Sequence, residues 1–198
     1  MSRRPTMRQL IPLFVVILSC IGLAPALAAD APKDDAAKLK ESAETWEQLK
    51  KKCGGNYRYF VRTSSFSGFR TETEIVVRDN KVAGRRYMVT GGRPAIAVMP
   101  GGKPEQPAGP KYKWTERFDE VGTNKEGAPA KTIDELYAEA EKVIEHELQP
   151  HEKRYVRFDG QGLLKSCFYI DTRIMDDAPR TGVIISQIKL DEKPDAKK

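Results

Sequence analysis

Residues 132–148 read T-I-D-E-L-Y-A-E-A-E-K-V-I-E-H-E-L, and they decide the fold. Thr132 with Glu135 three positions on is a capping box, the side-chain solution to the open backbone N–H groups at a helix start. Asp134 and Glu135 add negative charge where the helix dipole favours it. Ile133, Leu136, Tyr137, Ala140, Val143, Ile144 and Leu148 recur at three- and four-residue steps, which makes one apolar stripe. Pro150 is the expected stop. Segments of alternating apolarity follow around 153–158, 163–170 and 182–190. Asp159-Gly160-Gln161-Gly162 and Asp176-Asp177-Ala178-Pro179 are the turns between them.

Upstream the same grammar repeats. Leu39, Ala43, Trp46, Leu49 and Cys53 fall at helical spacing before the stop signal Gly54-Gly55. Trp46 lies on that stripe and reads as core rather than as a ligand-stacking ring. Tyr57, Tyr59 and Val61 alternate with Arg58, Phe60 and Arg62. Thr71 to Arg78 and Val82 to Val89 flank a hairpin turn at Asp79-Asn80. Tyr112 to Phe118 is a further short strand, and polar residues 119–131 lead to Thr132. The expected fold is therefore α+β: an antiparallel sheet of about six to seven strands with two helices packed on one face, in helix–strands–helix–strands order. The sheet's other face is left open as a candidate binding surface. Residues 91–111, Gly- and Pro-rich around A-I-A-V-M, read as a long surface loop and a second place for a partner.

The first 28 residues read as an export signal. Arg3, Arg4 and Arg8 precede an apolar run from Leu10 to Leu23, and Ala26-Leu27-Ala28 sets cleavage after Ala28. Ile17-Leu18-Ser19-Cys20 offers a competing reading, a lipid anchor on Cys20, but apolar Ile21, Gly22 and Leu23 follow where a polar linker belongs. Residues 29–37 then read as a flexible tether, 38–190 as one domain and 191–198 as a charged, disordered tail. The expected location is extracytoplasmic, periplasmic or secreted, with lipid anchoring as the alternative and no membrane span. The signal carries three arginines and no acid, so the formal charge of +6 falls to +3 beyond it. With no concentrated basic stripe and no nucleic-acid motif, nucleic acid is not an expected partner.

Two cysteines remain after such a cut, Cys53 and Cys167, 114 positions apart. In an oxidising compartment they are a disulfide candidate, and closing a loop of that length would stabilise by about 4–5 kcal/mol. The competing reading is two small apolar core residues.

Motifs for chemistry are sparse. A nucleophilic hydrolase needs a nucleophile, a base and an orienting group. The only histidines are His146, in the last turn of a helix, and His151, in a connection; no G-x-S-x-G occurs. Two histidines do not make a zinc site. Asp159, Asp171, Asp176 and Asp177 are a weak calcium candidate, weighed against the ordinary use of aspartate in turns. Gly91-Gly92 and Gly101-Gly102 lack the context of a phosphate cradle. No cofactor is implied. The expectation is a non-catalytic exported domain binding an envelope protein or a small ligand; the alternatives are a carboxylate-dependent hydrolase or an inhibitor of an envelope enzyme.

Several of these motifs occur together in a known setting. Trp46, Tyr57-Arg58-Tyr59, Val77-Arg78-Asp79-Asn80-Lys81-Val82, Thr132 to Tyr137, Phe158-Asp159, Gly162, Ile170-Asp171 and Asp176-Asp177 lie in order over residues 43–190. In this the chain resembles an uncharacterised family of exported bacterial domains and lipoproteins. That family shows a Tyr-x-Tyr strand, a Val-Arg-Asp-Gly-x-Val hairpin, a Thr-Ile-Asp-Glu-Leu-Phe helix and later Tyr-Asp, Gly-Tyr-Pro and Ile-Asp strands. The resemblance implies an exported location and an α+β fold, and it carries no assigned activity. Family members often place Cys-x-Cys after the Tyr-x-Tyr strand; Ser65-Phe66-Ser67 stands here instead, so any role of that pair is absent. The excursion at 91–111 is also longer.

Overall fold

A computed structural model of the chain describes residues 32–65, 68–91, 112–174 and 178–191. Helix α1 (Pro32–Cys53) leads into a meander of β1 (Tyr57–Ser64), β2 (Arg70–Arg78), β3 (Lys81–Gly91) and β4 (Tyr112–Arg117). Helix α2 (Ile133–Glu145) then leads into β5 (Glu152–Phe158), β6 (Leu164–Asp171), β7 (Thr181–Ile184) and β8 (Gln187–Leu190). The class is α+β and every pairing is antiparallel, but the strands make two sheets: a five-stranded one ordered β4-β3-β2-β1-β8 and a three-stranded one ordered β5-β6-β7.

The single expected sheet is thus corrected, and the reason lies in the last strand. Residues 182–190 look continuous in sequence, yet the chain changes partners at Ile185-Ser186. Ile185 N–H still donates to Lys165 C=O of β6 (2.8 Å), while Ser186 N–H donates to Phe60 C=O of β1 (2.7 Å). One segment therefore serves both sheets. Past this crossing the two strands fork. The β1 register with β8 ends at Phe60 opposite Gln187, while β1 runs on to Ser64. At the crotch the Arg62 N–H donates to Ser186 Oγ (2.9 Å), a side chain standing where a strand partner would be.

The helices pack on each other as well as on the small sheet. α2 crosses β6 and β7, and α1 packs chiefly on α2. Apolar residues of both helices and both sheets, among them Trp46, Tyr57, Ile75, Leu136, Cys167 and Val183, make one buried cluster. At β7 the fit to α2 is tight. A Cβ on Gly182 (φ +133°) would stand 2.3 Å from the Cys167 carbonyl oxygen and 3.0 Å from Val143 Cγ2.

The capping box of α2 forms in both directions. Glu135 N–H donates to Thr132 Oγ1 (3.3 Å), and Thr132 N–H donates to the Glu135 carboxylate (2.7 Å). The Tyr-x-Tyr pair of β1 points at the same helix end. Tyr57 Oη accepts from Ile133 N–H (3.1 Å), and Tyr59 Oη donates to the Lys131 carbonyl (2.6 Å). The helix stops at Glu145, before Leu148; Pro150 has no N–H to offer the His146 carbonyl, which accepts instead from Arg154 of β5 (2.5 Å). Leu148 is accordingly exposed rather than part of the stripe.

The segment boundaries also shift. α1 begins at Pro32, so most of the expected 29–37 tether is helix. Asp191 belongs with the folded strands, not the tail: Arg58 and Arg78 donate to its carboxylate, and its N–H donates to Asn56 C=O. The expected turn is present, with Asp79 (φ 47°) and Asn80 (φ 61°) left-handed as a two-residue hairpin requires.

Candidate functional site

Three charged or concave features compete for a functional role. The first is buried. Arg85 of β3 and Glu116 of β4 face each other on the helix side of the large sheet, with side chains only 3% and 2% exposed. Two guanidinium nitrogens, Nε and Nη2, each donate at 2.9 Å to one carboxylate oxygen. The Gly122 N–H (2.8 Å), the Asn124 N–H (2.5 Å) and the Asn124 side chain (2.8 Å) donate to the same carboxylate. Burial alone would raise the Glu116 pKa; those hydrogen bonds outweigh it and hold the group well below the usual carboxylate range. Arg85 also donates to the carbonyls of Asn124 (2.6 Å) and Ala128 (2.7 Å), and it lies over the Trp114 ring. The pair is a structural knot that pins the polar connection 118–131 to the sheet.

The second feature is a cleft of about 470 Å³ between the helix-side face of β1–β3 and α2. Tyr59, Val61, Thr71 and Leu136 give it apolar walls edged with hydroxyls. Glu139 is the one carboxylate among its lining residues, and it is paired with Lys131 at 2.5 Å.

The third lies on the opposite, helix-free face, where the small sheet bends against the far end of β1 to form an open groove of about 1020 Å³. Alternation explains its lining. Cys167, Tyr169 and Val183 turn toward α2, so Ser166 and Phe168 of β6 and Tyr155 and Arg157 of β5 turn away. Between Arg157 opposite Ser166 and Phe158 opposite Leu164, the register shifts by one residue. Lys165 is the extra residue of that bulge, and it lines the groove beside Ser166. Tyr155 and Phe168 stack with centroids 5.4 Å apart, and the Arg180 guanidinium lies 5.4 Å from the Phe168 ring centre. Arg62 on the β1 side is neutralised by Glu72. Arg157, Lys165 and Arg180 have no ion pair among the described residues, and no carboxylate is among the described lining residues.

The residues singled out from sequence are distributed elsewhere. Cys53 and Cys167 are both buried and unpaired, which corrects the disulfide candidate. Cys53 Sγ faces the Lys50 carbonyl in its own helix, and Cys167 Sγ faces the Ala140 carbonyl of α2. Burial pushes the Cys167 thiol up to about 11. Of the four aspartates of the calcium candidate, the two described ones, Asp159 and Asp171, lie apart. Asp159 accepts from the Gln161 and Leu163 N–H groups in the β5–β6 turn, whereas Asp171 sits at the opposite end of β6. Hydrogen bonds from Arg173, side chain and backbone, hold Asp171 down at about 2. Asp176 and Asp177 lie outside the described residues, and no group of three metal-ligating side chains occurs among those described. His146 caps α2, stacks on Tyr169 and meets Glu152 at 2.9 Å; His151 approaches Asp171 at 3.9 Å.

Cys20, the cleavage site after Ala28, Phe66-Ser67 and residues 92–111 also lie outside the described residues. No helix among the described residues is long and apolar enough to cross a membrane. The chain matches no protein-family model, no curated protein and no solved structure.

Sequence reading pointed to a helix-free face but did not name its residues. The signal was present in Lys153, Tyr155 and Arg157, whose period-two pattern is cationic and aromatic with no acid. What periodicity could not supply was the cross-strand register that brings Phe168 to Tyr155, or the bulge that turns Lys165 onto the same face.

Proposed function

We propose that this chain is an exported, non-catalytic binding domain of the cell envelope, and that it holds its partner on the helix-free face of the small sheet. One observation carries the reading: a stacked aromatic pair, Tyr155 and Phe168, lies among cations that no carboxylate among the described lining residues offsets. Aromatic rings and arginines are the side chains that dominate binding energy at interfaces, because they bury much surface at small entropic cost. Cations lining an open groove also raise the local concentration of an oppositely charged partner. The buried Arg85–Glu116 pair, by contrast, is saturated by its own neighbours and offers nothing to a ligand.

A photo-crosslinking amino acid placed at position 155, and separately at exposed position 40 on α1, tests the proposal in cells exporting the protein. Position 155 should give a discrete adduct that position 40 does not, and the adduct should vanish in the Arg157→Gln, Lys165→Gln, Arg180→Gln background. If 155 labels no better than 40, this face is not the binding surface.

A further inference from the structure

The fork between β1 and β7 gives the same groove a second property. β7 is the outer strand of its sheet, so one edge of Thr181–Ile184 faces no strand among the described residues. β1 runs four residues, Val61–Ser64, past its last β8 partner, and beyond the Arg62 N–H held by Ser186 Oγ that side of its end faces no strand among the described residues. Thr63, Ser64 and Ile184 line both the helix-side cleft and the cationic groove, which puts the two open arms at the boundary where those hollows meet. Natural sheets usually protect such edges, because open backbone donors and acceptors template an incoming strand. Here the arms stand apart. Ser186 fills only the crotch, where its N–H goes to Phe60 and its hydroxyl takes the Arg62 N–H.

Resting on the binding role proposed above, we infer that the partner enters as an extended acidic polypeptide segment. Its backbone pairs with the open arms of the β1–β7 fork, and its carboxylates meet Arg157, Lys165 and Arg180. Two independent features select this occupant. The cations, without an ion pair among the described residues, suit an anion, and the open strand edges supply what a polypeptide backbone recognises and an anionic sugar or phosphate does not. An extended chain also presents alternate side chains to one face. Carboxylates at every second position can then meet the cations, with Tyr155 and Phe168 packing against the stems between. Guanidinium–carboxylate contacts are strong and directional, and the two arginines together with Lys165 fix register as well as affinity.

The test uses the mature domain and a short fluorescein-labelled peptide of alternating glutamate and valine, followed by anisotropy. Three companions are a peptide with alternate backbone nitrogens methylated, a lysine–valine peptide, and an oligomer of uronic acid. The glutamate peptide should bind and weaken as salt rises. It should lose at least about tenfold in affinity both on methylation and against the Arg157→Gln, Lys165→Gln, Arg180→Gln protein, the scale expected for removing charge pairs and strand bonds. The lysine peptide should not bind. Equal binding of the methylated peptide overturns strand pairing, and equal binding to the triple variant overturns the charge assignment. If the uronic oligomer binds and the peptide does not, the polypeptide inference falls while the face keeps its binding role. If the peptide fails and position 155 also gives no adduct in cells, both readings fall together.

Discussion

Arg85 and Arg157 are both strand arginines, and they live opposite lives. Arg85 is buried, and its charge is spent on Glu116, two carbonyls and the Trp114 face. Arg157 stands exposed in the groove without an ion pair among the described residues. A charge that the fold itself satisfies is part of the scaffold; a charge left open beside aromatic rings and bare strand edges is available to something else. The lesson is that composition does not separate the two classes of arginine. Partner satisfaction does.

The largest test of that contrast is Glu116→Gln. It leaves the Arg85 charge buried without its counterion, which should cost about 3–5 kcal/mol, read as a fall in urea midpoint. The pH dependence follows the same sign. The Glu116 pKa is lowered in the fold, so its stabilisation is complete above the ordinary carboxylate value of 4.5 and drains away as pH falls below it. Glu116→Gln should therefore flatten the acid limb of the stability profile. A variant as acid-sensitive as the parent would show that other groups govern that limb.

A smaller loss should come from Tyr57→Phe. It removes the acceptor of the buried Ile133 N–H at the start of α2 and should cost about 1–3 kcal/mol by denaturant titration. The smallest effect belongs to the groove. Arg157→Gln, Lys165→Gln and Arg180→Gln together should change stability by no more than about 0.5 kcal/mol per site, because none of the three forms an ion pair among the described residues and Arg180 meets only the Phe168 ring. A melting curve that collapses in this triple variant would erase the distinction between scaffold and surface cations.

The sequence by itself determined the elements whose signals are local. Thr132 and Glu135 cap α2 as read, because a capping box needs only four consecutive residues. Asp79-Asn80 turns as read, because a two-residue hairpin depends only on those two backbones. Trp46 lies in the core, as its stripe required, and donates to Asp134 at 3.0 Å. Tertiary structure alone decided the rest. The partner of the His146 carbonyl at the end of α2 is Arg154, from a strand that sequence could not place there. The fates of Cys53 and Cys167 depended on how α1 and β6 meet α2. The split of the last strand between two sheets arose because β6 and β1 each claimed half of it. Periodicity states which way a side chain points along its own strand. It carries no information about which strand lies alongside, and the groove, the fork and the open cations all arise from that neighbour relation.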